Sequence, residues 1–280
     1  MKANQSNFGV EKMCNVLGAS RSGYYNRMKN GKSKRELERE DLLIKIKDAY
    51  VESRGVYGSP RITAELKRRG ENCNRKTIAR LMKSEGIHAK TVKRFKRTTN
   101  SNHKGKISEN ILNQNFIVRK PNKVWVSDIT YIRTREGWLY LAAVLDLYSR
   151  RVIGWKVDKY LHSELVVKAL ERALEERTAE EGIIFHSDQG IQYASTELRN
   201  VLSQNKILQS MSRKGNCYDN AVSESFFHSL KTEHVNFENY KTRLEAKLSL
   251  FDYIEIFYNR KRLHSSIGYN SPVEYENLKM

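Results

Sequence analysis

Three acidic side chains, Asp128, Asp188 and Glu224, stand where regular elements would display them. The apolar run Ile183, Ile184, Phe185 carries the chain to Asp188 and stops at Gly190, which is how a buried strand delivers a carboxylate to the edge of a sheet. Asp128 lies in KVWVSDITYI, a second strand-like context. Glu224 follows Asp188 after 35 intervening residues and falls in a helical stretch. There Val222, Phe226 and Leu230 recur at i, i+4, i+8 as a buried stripe, while Glu224, His228 and Lys231 share the opposite face. A surface helix with solvated charges is the ordinary alternative. Against it, Glu224 and Lys231 are seven residues apart, too far for the i, i+4 ion pair that usually explains such residues. Should the three carboxylates converge, they would repel and resist ionising together. A divalent pair resolves this, and oxygen-only ligands select hard ions, Mg²⁺ or Mn²⁺. Two such ions about 4 Å apart activate an attacking oxygen and stabilise a leaving one in an in-line phosphoryl displacement. Asp128, Asp188 and Glu224 are therefore the expected metal ligands, and Lys231 the group that holds an anion beside them.

The elements that must position these residues are legible from Val124 onward. VWVSDITYIRT, a turn at Arg135 to Gly137, WLYLAAVLDLYS and RVIGWKV read as three strands. An amphipathic helix over His162 to Arg177, apolar at Val166, Leu170, Ala173 and Leu174, precedes the strand ending at His186. That order predicts an α/β domain, a mixed sheet flanked by helices. A further helix, a short strand over Ile207 to Met211, a polar basic loop over Ser212 to Asn220 and the Glu224 helix follow. Tyr240 to Tyr258 reads as another helix, and Ser271, Pro272 and Glu274 as a capping-box start. Two more acids compete for the site. Asp146 reads as a turn-stabilising group. Asp219, just before the Glu224 helix, is explained by an N-cap role and kept as an accessory candidate. His186 could relay a proton, but a core histidine is the preferred reading.

Charge divides the chain. Residues 1–120 carry 29 Lys plus Arg against 11 Asp plus Glu, whereas residues 121–280 carry 22 against 21. A basic half beside a near-neutral half suggests a nucleic-acid arm on a catalytic or structural module. A solubilising surface or a lipid-bound basic region is the alternative, the latter weakened because no long amphipathic helix has a lipid-facing aromatic side. Cys14, Cys73 and Cys217 are isolated, without zinc spacing, and read as reduced thiols. No signal-peptide or membrane-spanning run is apparent, so no membrane partner and a cytoplasmic protein within reach of DNA are expected.

Within the basic part, residues 9 to 29 suggest two short helices joined at Gly18 and Ala19 with Ser20 as a cap, and residues 31 to 53 a helix packing through Leu37, Leu42, Leu43 and Ile46. Residues 55 to 87 are the better DNA-binding candidate. Pro60 starts a helix that stops at Gly70, and Asn74 caps a second helix whose buried side is Ile78, Leu81 and Met82. This helix-turn-helix would offer Lys76, Thr77 and Arg80 to a groove, with Arg61 as a further contact. A helical pair used only for packing is the alternative. Residues 88 to 120 lose periodicity and read as a basic linker that orders on the DNA backbone.

The strings WVSDITYI, VLDLYSRRVIGW, HSDQGIQY, SMSRKGNCYDNAVSESFFHSLKTE and YNRKRLHSSIGYNSPVEY resemble the second-frame (OrfB-type) transposases of two-frame bacterial insertion sequences, members of the retroviral integrase superfamily. The resemblance runs over residues 120 to 276 almost without a break and more weakly over the N-terminal part. It implies a ribonuclease-H-like core preceded by an all-α helix-turn-helix-type region. The expected divisions are 1–54, 55–87, 88–120, 121–238 and 239–280. In that fold the first and fourth strands lie side by side and present Asp128 and Asp188 together. The implied activity is metal-dependent release of a 3′-OH at an element end, followed by attack of that hydroxyl on another phosphodiester. Arg213 and Lys214 would grip the strand beside the scissile bond, or form a solvated turn. Arg260, Lys261, Arg262 and His264 would touch DNA, or only cap and pack. The implied partners are double-stranded DNA, a second copy of the chain on DNA, and an upstream-frame product as fusion or partner, with the protein associated with the bacterial nucleoid. A catalytically silent DNA-binding regulator and a non-joining nuclease of the same fold are the rival readings. No sustained leucine heptad is present, which departs from the fused two-frame product.

Overall fold

Residues Met1–His88 and Ala89–Met280 form separate units in a computed structural model that describes residues 1–90, 107–178, 181–213 and 217–278. The first unit is helical: α1 (Val10–Leu17), α2 (Arg21–Asn30), α3 (Lys34–Glu52), α4 (Ser59–Arg68) and α5 (Arg75–Ser84). Its breaks fall where the capping chemistry puts them. Ser20 Oγ accepts from Gly23 N–H at 3.2 Å, Ser33 and Glu36 close a capping box, and Asn74 Oδ1 accepts from Lys76 N–H at 2.7 Å. Ile46, Ile62, Leu66, Ile78, Leu81 and Met82 are buried together with Ala49. One expectation fails here. Leu37 remains 54% exposed, because it lies on the helix side opposite Ile46.

In the second unit β1 (Val124–Thr134) pairs antiparallel with β2 (Gly137–Asp146), and β2 with β3 (Val152–Asp158). α6 (Ser163–Glu176) returns the chain to β4 (Ile184–Ser187), which runs parallel beside β1. α7 (Thr196–Gln204) leads to β5 (Leu208–Met211), parallel to β4, giving the strand order β3-β2-β1-β4-β5. Trp125, Val144 and Phe185 from the sheet pack with Val166, Leu170 and Ala173 of α6 and with Leu198 and Leu202 of α7. The approach is close at Gly154, where a Cβ would meet the Ala169 carbonyl oxygen and lie 2.6 Å from Ala173 N.

α8 (Ala221–Glu233) carries Glu224, and α9 (Arg243–Phe251) runs into a π-helical stretch, Asp252–Tyr258, rather than continuing as one α-helix. This stretch covers the edge of the sheet. The Asn259 amide accepts from Val152 N–H at 3.0 Å and donates to Val152 O at 2.9 Å, completing the open ladder of β3. Trp155 Nε1 donates to Glu255 Oε1 at 2.7 Å. α10 (Pro272–Asn277), started by the Ser271 and Glu274 capping box, brings the buried Glu276 to Ser149, Arg151 and Arg177. Asp146 is the expected turn group: it accepts from the backbone N–H of Asn122 and Tyr148 at 2.8 and 2.9 Å. Among the described residues no helix is long and apolar enough to cross a membrane.

The basic linker expectation is partly overturned. Its portion 91–106 lies outside the described residues, but 107 onward is docked on β5 rather than waiting for DNA. Ser210 Oγ accepts from the N–H groups of Ile111 and Leu112 at 2.9 and 3.2 Å, Met211 N–H donates to Glu109 O at 3.3 Å, and Leu112 is buried. Polar side chains and backbone groups hold this segment, so no hydrophobic period announced it.

Candidate active site

Parallel pairing of β1 and β4 aligns two of the acids. Val126 faces His186 in the last pair of the ladder, and Asp128 and Asp188 each lie two residues beyond it. Asp188 thus emerges just past the end of β4, beside Asp128 in the part of β1 that runs on beyond the shared ladder, and strand ends of this kind are where sheet crevices hold ligands. Glu224 is exposed in the first turn of α8. Asp128 has a carboxyl raised well above the usual range, first by burial, then by Asp188 and by Glu224, with Lys231 opposing. One aspartate thereby senses both other acids and the lysine. Among the described residues no three acid, histidine or cysteine side chains meet at ligating range. Asp128 Oδ1 instead accepts from Ile129 N–H at 2.7 Å and Asp188 Oδ1 from Gly190 N–H at 2.9 Å. Mutually repelling carboxylates are expected to turn to nearby N–H donors in this way.

Polar groups that sequence reasoning did not single out surround the acids. Tyr193 is buried and exchanges a hydrogen bond of 2.9 Å with Ser127 Oγ. Its hydroxyl is pushed well up by burial and by the charges of Asp128 and Asp188. Asn220 Nδ2 donates to Ser127 O at 3.3 Å, tying the start of α8 to β1. Among the described residues, Asn220 Oδ1 and Ser223 Oγ are buried atoms with no hydrogen-bond partner. The Tyr in HSDQGIQY was the available signal, since a buried Tyr needs a partner for its hydroxyl.

The helix presents its faces somewhat differently from the periodic reading. Phe226 and Leu230 are buried and Val222 only half-buried, while Phe227 and Lys231 are also buried. Lys231 sits with Nζ 4.6 Å from the Tyr131 ring centroid. Burial lowers its pKa and the Asp128 charge opposes that shift.

Asp219 does not cap α8. The N-cap is Asn220, without a side-chain cap bond, and Asp219 in the preceding turn is a buried acceptor for several donors. Asn110 Nδ2 and Gln114 Nε2 reach it at 2.9 and 2.7 Å, and Arg213 donates through N, Nε and Nη2 at 2.8, 3.0 and 2.9 Å. The Arg213 guanidinium holds the carboxyl well below the usual range. Arg213 is thus engaged by Asp219 rather than extended toward a strand, and Lys214 lies outside the described residues. His186 is fully buried, its Nδ1 2.9 Å from Ser210 Oγ, and burial lowers its pKa to about 4. That is the core-histidine reading.

The remaining DNA-contact candidates separate by exposure. Lys76, Arg80 and Arg260 are exposed, Thr77 and Arg61 half-buried, and Arg61 lies 5.8 Å from the Tyr57 ring centroid. Arg262 is corrected: it is buried, with Nε 2.6 Å from Glu233 Oε2 and Nη2 3.2 Å from Ser229 Oγ. A cation with its partners inside the fold packs α8 to the C-terminal segment. His264, beside it, is buried too.

A carboxylate pair just beyond a parallel strand ladder, with a third acid on a following helix, is the arrangement of an integrase-type core, here preceded by a helix-turn-helix-like unit. The integrase core domain family matches residues 118–217, a second integrase core domain family matches 224–280, and an HTH-like domain family matches 36–95. The chain is 40% identical to the transposase InsF for insertion sequence IS3A of Escherichia coli (strain K12) over 282 aligned residues, covering 100% of this chain and 98% of that protein. It is 43% identical to an uncharacterized 31 kDa protein of insertion element IS600 of Shigella sonnei, covering 94% and 97%. The chain belongs to the family of OrfB-type insertion-sequence transposases. Among solved structures, a simian T-cell lymphotropic virus intasome in complex with PP2A regulatory subunit B56 gamma aligns with TM-score 0.47 at 15% identity, over 82% of this chain and 74% of that one. The HTLV-2 integrase catalytic core domain in complex with magnesium (trimeric form) aligns with TM-score 0.44 at 16% identity, over 56% and 97%.

Proposed function

We propose that the protein is a divalent-metal-dependent DNA strand transferase that frees the 3′ end of an insertion element and joins it to a second DNA site. The observation that carries this is the matched position of Asp128 and Asp188 beyond the β1–β4 ladder, with Glu224 acting on Asp128. The donor set fits a hard divalent ion: all three groups are carboxylates, and their crowding makes accumulated negative charge unfavourable. Asp128, Asp188 and Glu224 would hold two ions, Mg²⁺ or Mn²⁺, which supply positive charge to the phosphoryl group and to the entering and leaving oxygens. Lys231 holds a non-bridging phosphate oxygen in line with the acids. Asn220, bonded to Ser127 O, keeps the Glu224 helix against the strand that carries Asp128. In the first step a water oxygen bonds to phosphorus and the P–O3′ bond breaks, leaving a 3′-OH. In the second, that hydroxyl oxygen gives its proton to solvent and bonds to a target phosphorus, while the target P–O3′ bond breaks and the displaced 3′-oxygen takes up a proton from solvent to leave as a 3′-OH. No covalent protein intermediate is required.

Lys76, Thr77 and Arg80 on α5 would bind double-stranded DNA. The chain acts as a homodimer on DNA because two element ends must be joined, alone or with an upstream-frame product, at the bacterial nucleoid. The test uses oligonucleotides drawn from the DNA that flanks this coding frame. With Mg²⁺ the native chain is expected to cut and join them, and Asp188→Asn or Glu224→Gln to do neither. Joining that survives either substitution would remove this mechanism, and nicking without joined strands would leave a nuclease.

A further inference from the structure

β1 and β2 continue as a two-stranded ribbon past the point where β4 stops. Of β1, only Val124 to Val126 pair with β4, whereas the β1–β2 register runs on to Thr134 opposite Gly137. Tyr131 and Arg133 share one face of this ribbon, and Trp138 lies directly across from Arg133 and diagonal to Tyr131. The rings of Tyr131 and Trp138 meet edge to face, with centroids 5.1 Å apart. Both are exposed, Trp138 by 47%. Two large rings in water contribute little to a core, so their packing does not account for them. The surroundings are cationic. The Lys231 ammonium lies over the Tyr131 ring and acts on Asp128, Arg133 is exposed across from Trp138, and Arg243 Nε donates to Trp138 O at 3.1 Å. An aromatic surface flanked by basic groups thus begins at the acid cluster and leads away from it.

We propose that Trp138, held edge to face by Tyr131, forms a stacking platform for an unpaired nucleobase of the DNA strand whose phosphodiester lies at the acids. This deepens the strand-transferase reading and rests on it. Every base offers a flat π face, so such a platform binds without reading sequence, while the flanking cations hold the neighbouring phosphates. A base stacked in a closed duplex cannot present that face. The platform therefore favours strand ends that are frayed or already unpaired.

The full chain, with no divalent ion added so that no chemistry occurs, is titrated with a blunt duplex and with the same duplex bearing a short unpaired 3′ tail whose first base is 2-aminopurine. Of the three tryptophans, Trp125 and Trp155 are 0% and 5% exposed, so quenching of the intrinsic emission reports Trp138. The tail is expected to tighten binding on the order of 10-fold per stacked base, and to quench both Trp138 and 2-aminopurine. Trp138→Ala and Tyr131→Leu should bind the tailed duplex no better than the blunt one, with blunt-duplex affinity unchanged. Trp138→Phe, which keeps a ring, should retain most of the preference. A native chain that binds both duplexes equally, or variants that keep the full preference, would overturn the platform while leaving strand transfer, assayed separately, untouched. Failure to bind either duplex would sink the platform and the strand-transferase reading together.

Discussion

Burial and two neighbouring acids push the Asp128 carboxyl toward its neutral form, which sets activity against stability. Replacing Asp188 by Asn removes a repelling charge, so in metal-free buffer the variant should melt higher than the native chain, by about 1 kcal/mol of stability. Strand joining by the same protein should fall by at least about 10²-fold. Calorimetry and a joining assay on one preparation separate lost chemistry from lost fold, and a lower melting temperature would contradict the repulsion. His186 protonates at lower pH than a solvent-exposed histidine. Its pKa is lowered to about 4 in the fold by burial, against about 6.5 in an unfolded chain. The unfolded state thus binds more protons between these values, so stability rises with pH across that window and is lost as pH falls through it. The whole effect is about 3 kcal/mol. Denaturant midpoints measured from pH 4 to 7 should show a shallower slope for His186→Gln than for the native chain.

At the scale of elements, the position of Glu224 depends on what holds the start of α8. Asp219 collects donors from Asn110, Gln114 and Arg213, which joins residues near the linker, the loop after β5 and the turn before α8. Asp219→Ala leaves the Asn110 and Gln114 amides and a half-exposed guanidinium without their buried acceptor and is expected to destabilise the unit by about 1–3 kcal/mol. Arg213→Ala should cost less, because Asn110 and Gln114 still satisfy the carboxylate and the arginine side chain is half exposed. Chemical denaturation of the two variants would rank them, and equal losses would show that the ion pair rather than the acceptor dominates. α6 crosses β3 at Gly154 with no room for a methyl group. Gly154→Ala should therefore lose about 1–3 kcal/mol through overpacking; a neutral melting temperature would mean the helix can slide.

For the whole molecule, the uneven charge makes a prediction about binding. With the excess of basic residues in the first 120 positions, and roughly 6 to 10 phosphates neutralised, affinity for duplex DNA should fall about 10³ to 10⁵-fold between 50 and 200 mM salt. A flat salt profile would mean the basic residues are not at the interface. A monomer mass for the complex with an element end, measured by light scattering, would count against the proposed dimer.

The strands, most helices and their caps could be read from the chain itself, because period, glycine stops and capping residues act within a few positions of one another. Ser20, Asn74 and the Ser271 and Glu274 box are local chemistry, and the structure uses each as the spacing predicts. Asp128, Asp188 and Glu224 were visible as acids on displayed elements. Long-range contacts were not legible in this way. Arg262 looked like a DNA contact and is buried against Glu233, Asp219 looked like a cap and is an acceptor for distant amides, and residues 107 onward looked like linker and dock on β5. Each of these partners lies far away in sequence, and a buried ion pair or amide bond leaves no period to read. The amino-acid order by itself determined which groups could do chemistry and which segments would be strand or helix. Only the tertiary structure decided which charges face solvent and which face each other, because that depends on how parallel pairing and helix packing bring distant residues together.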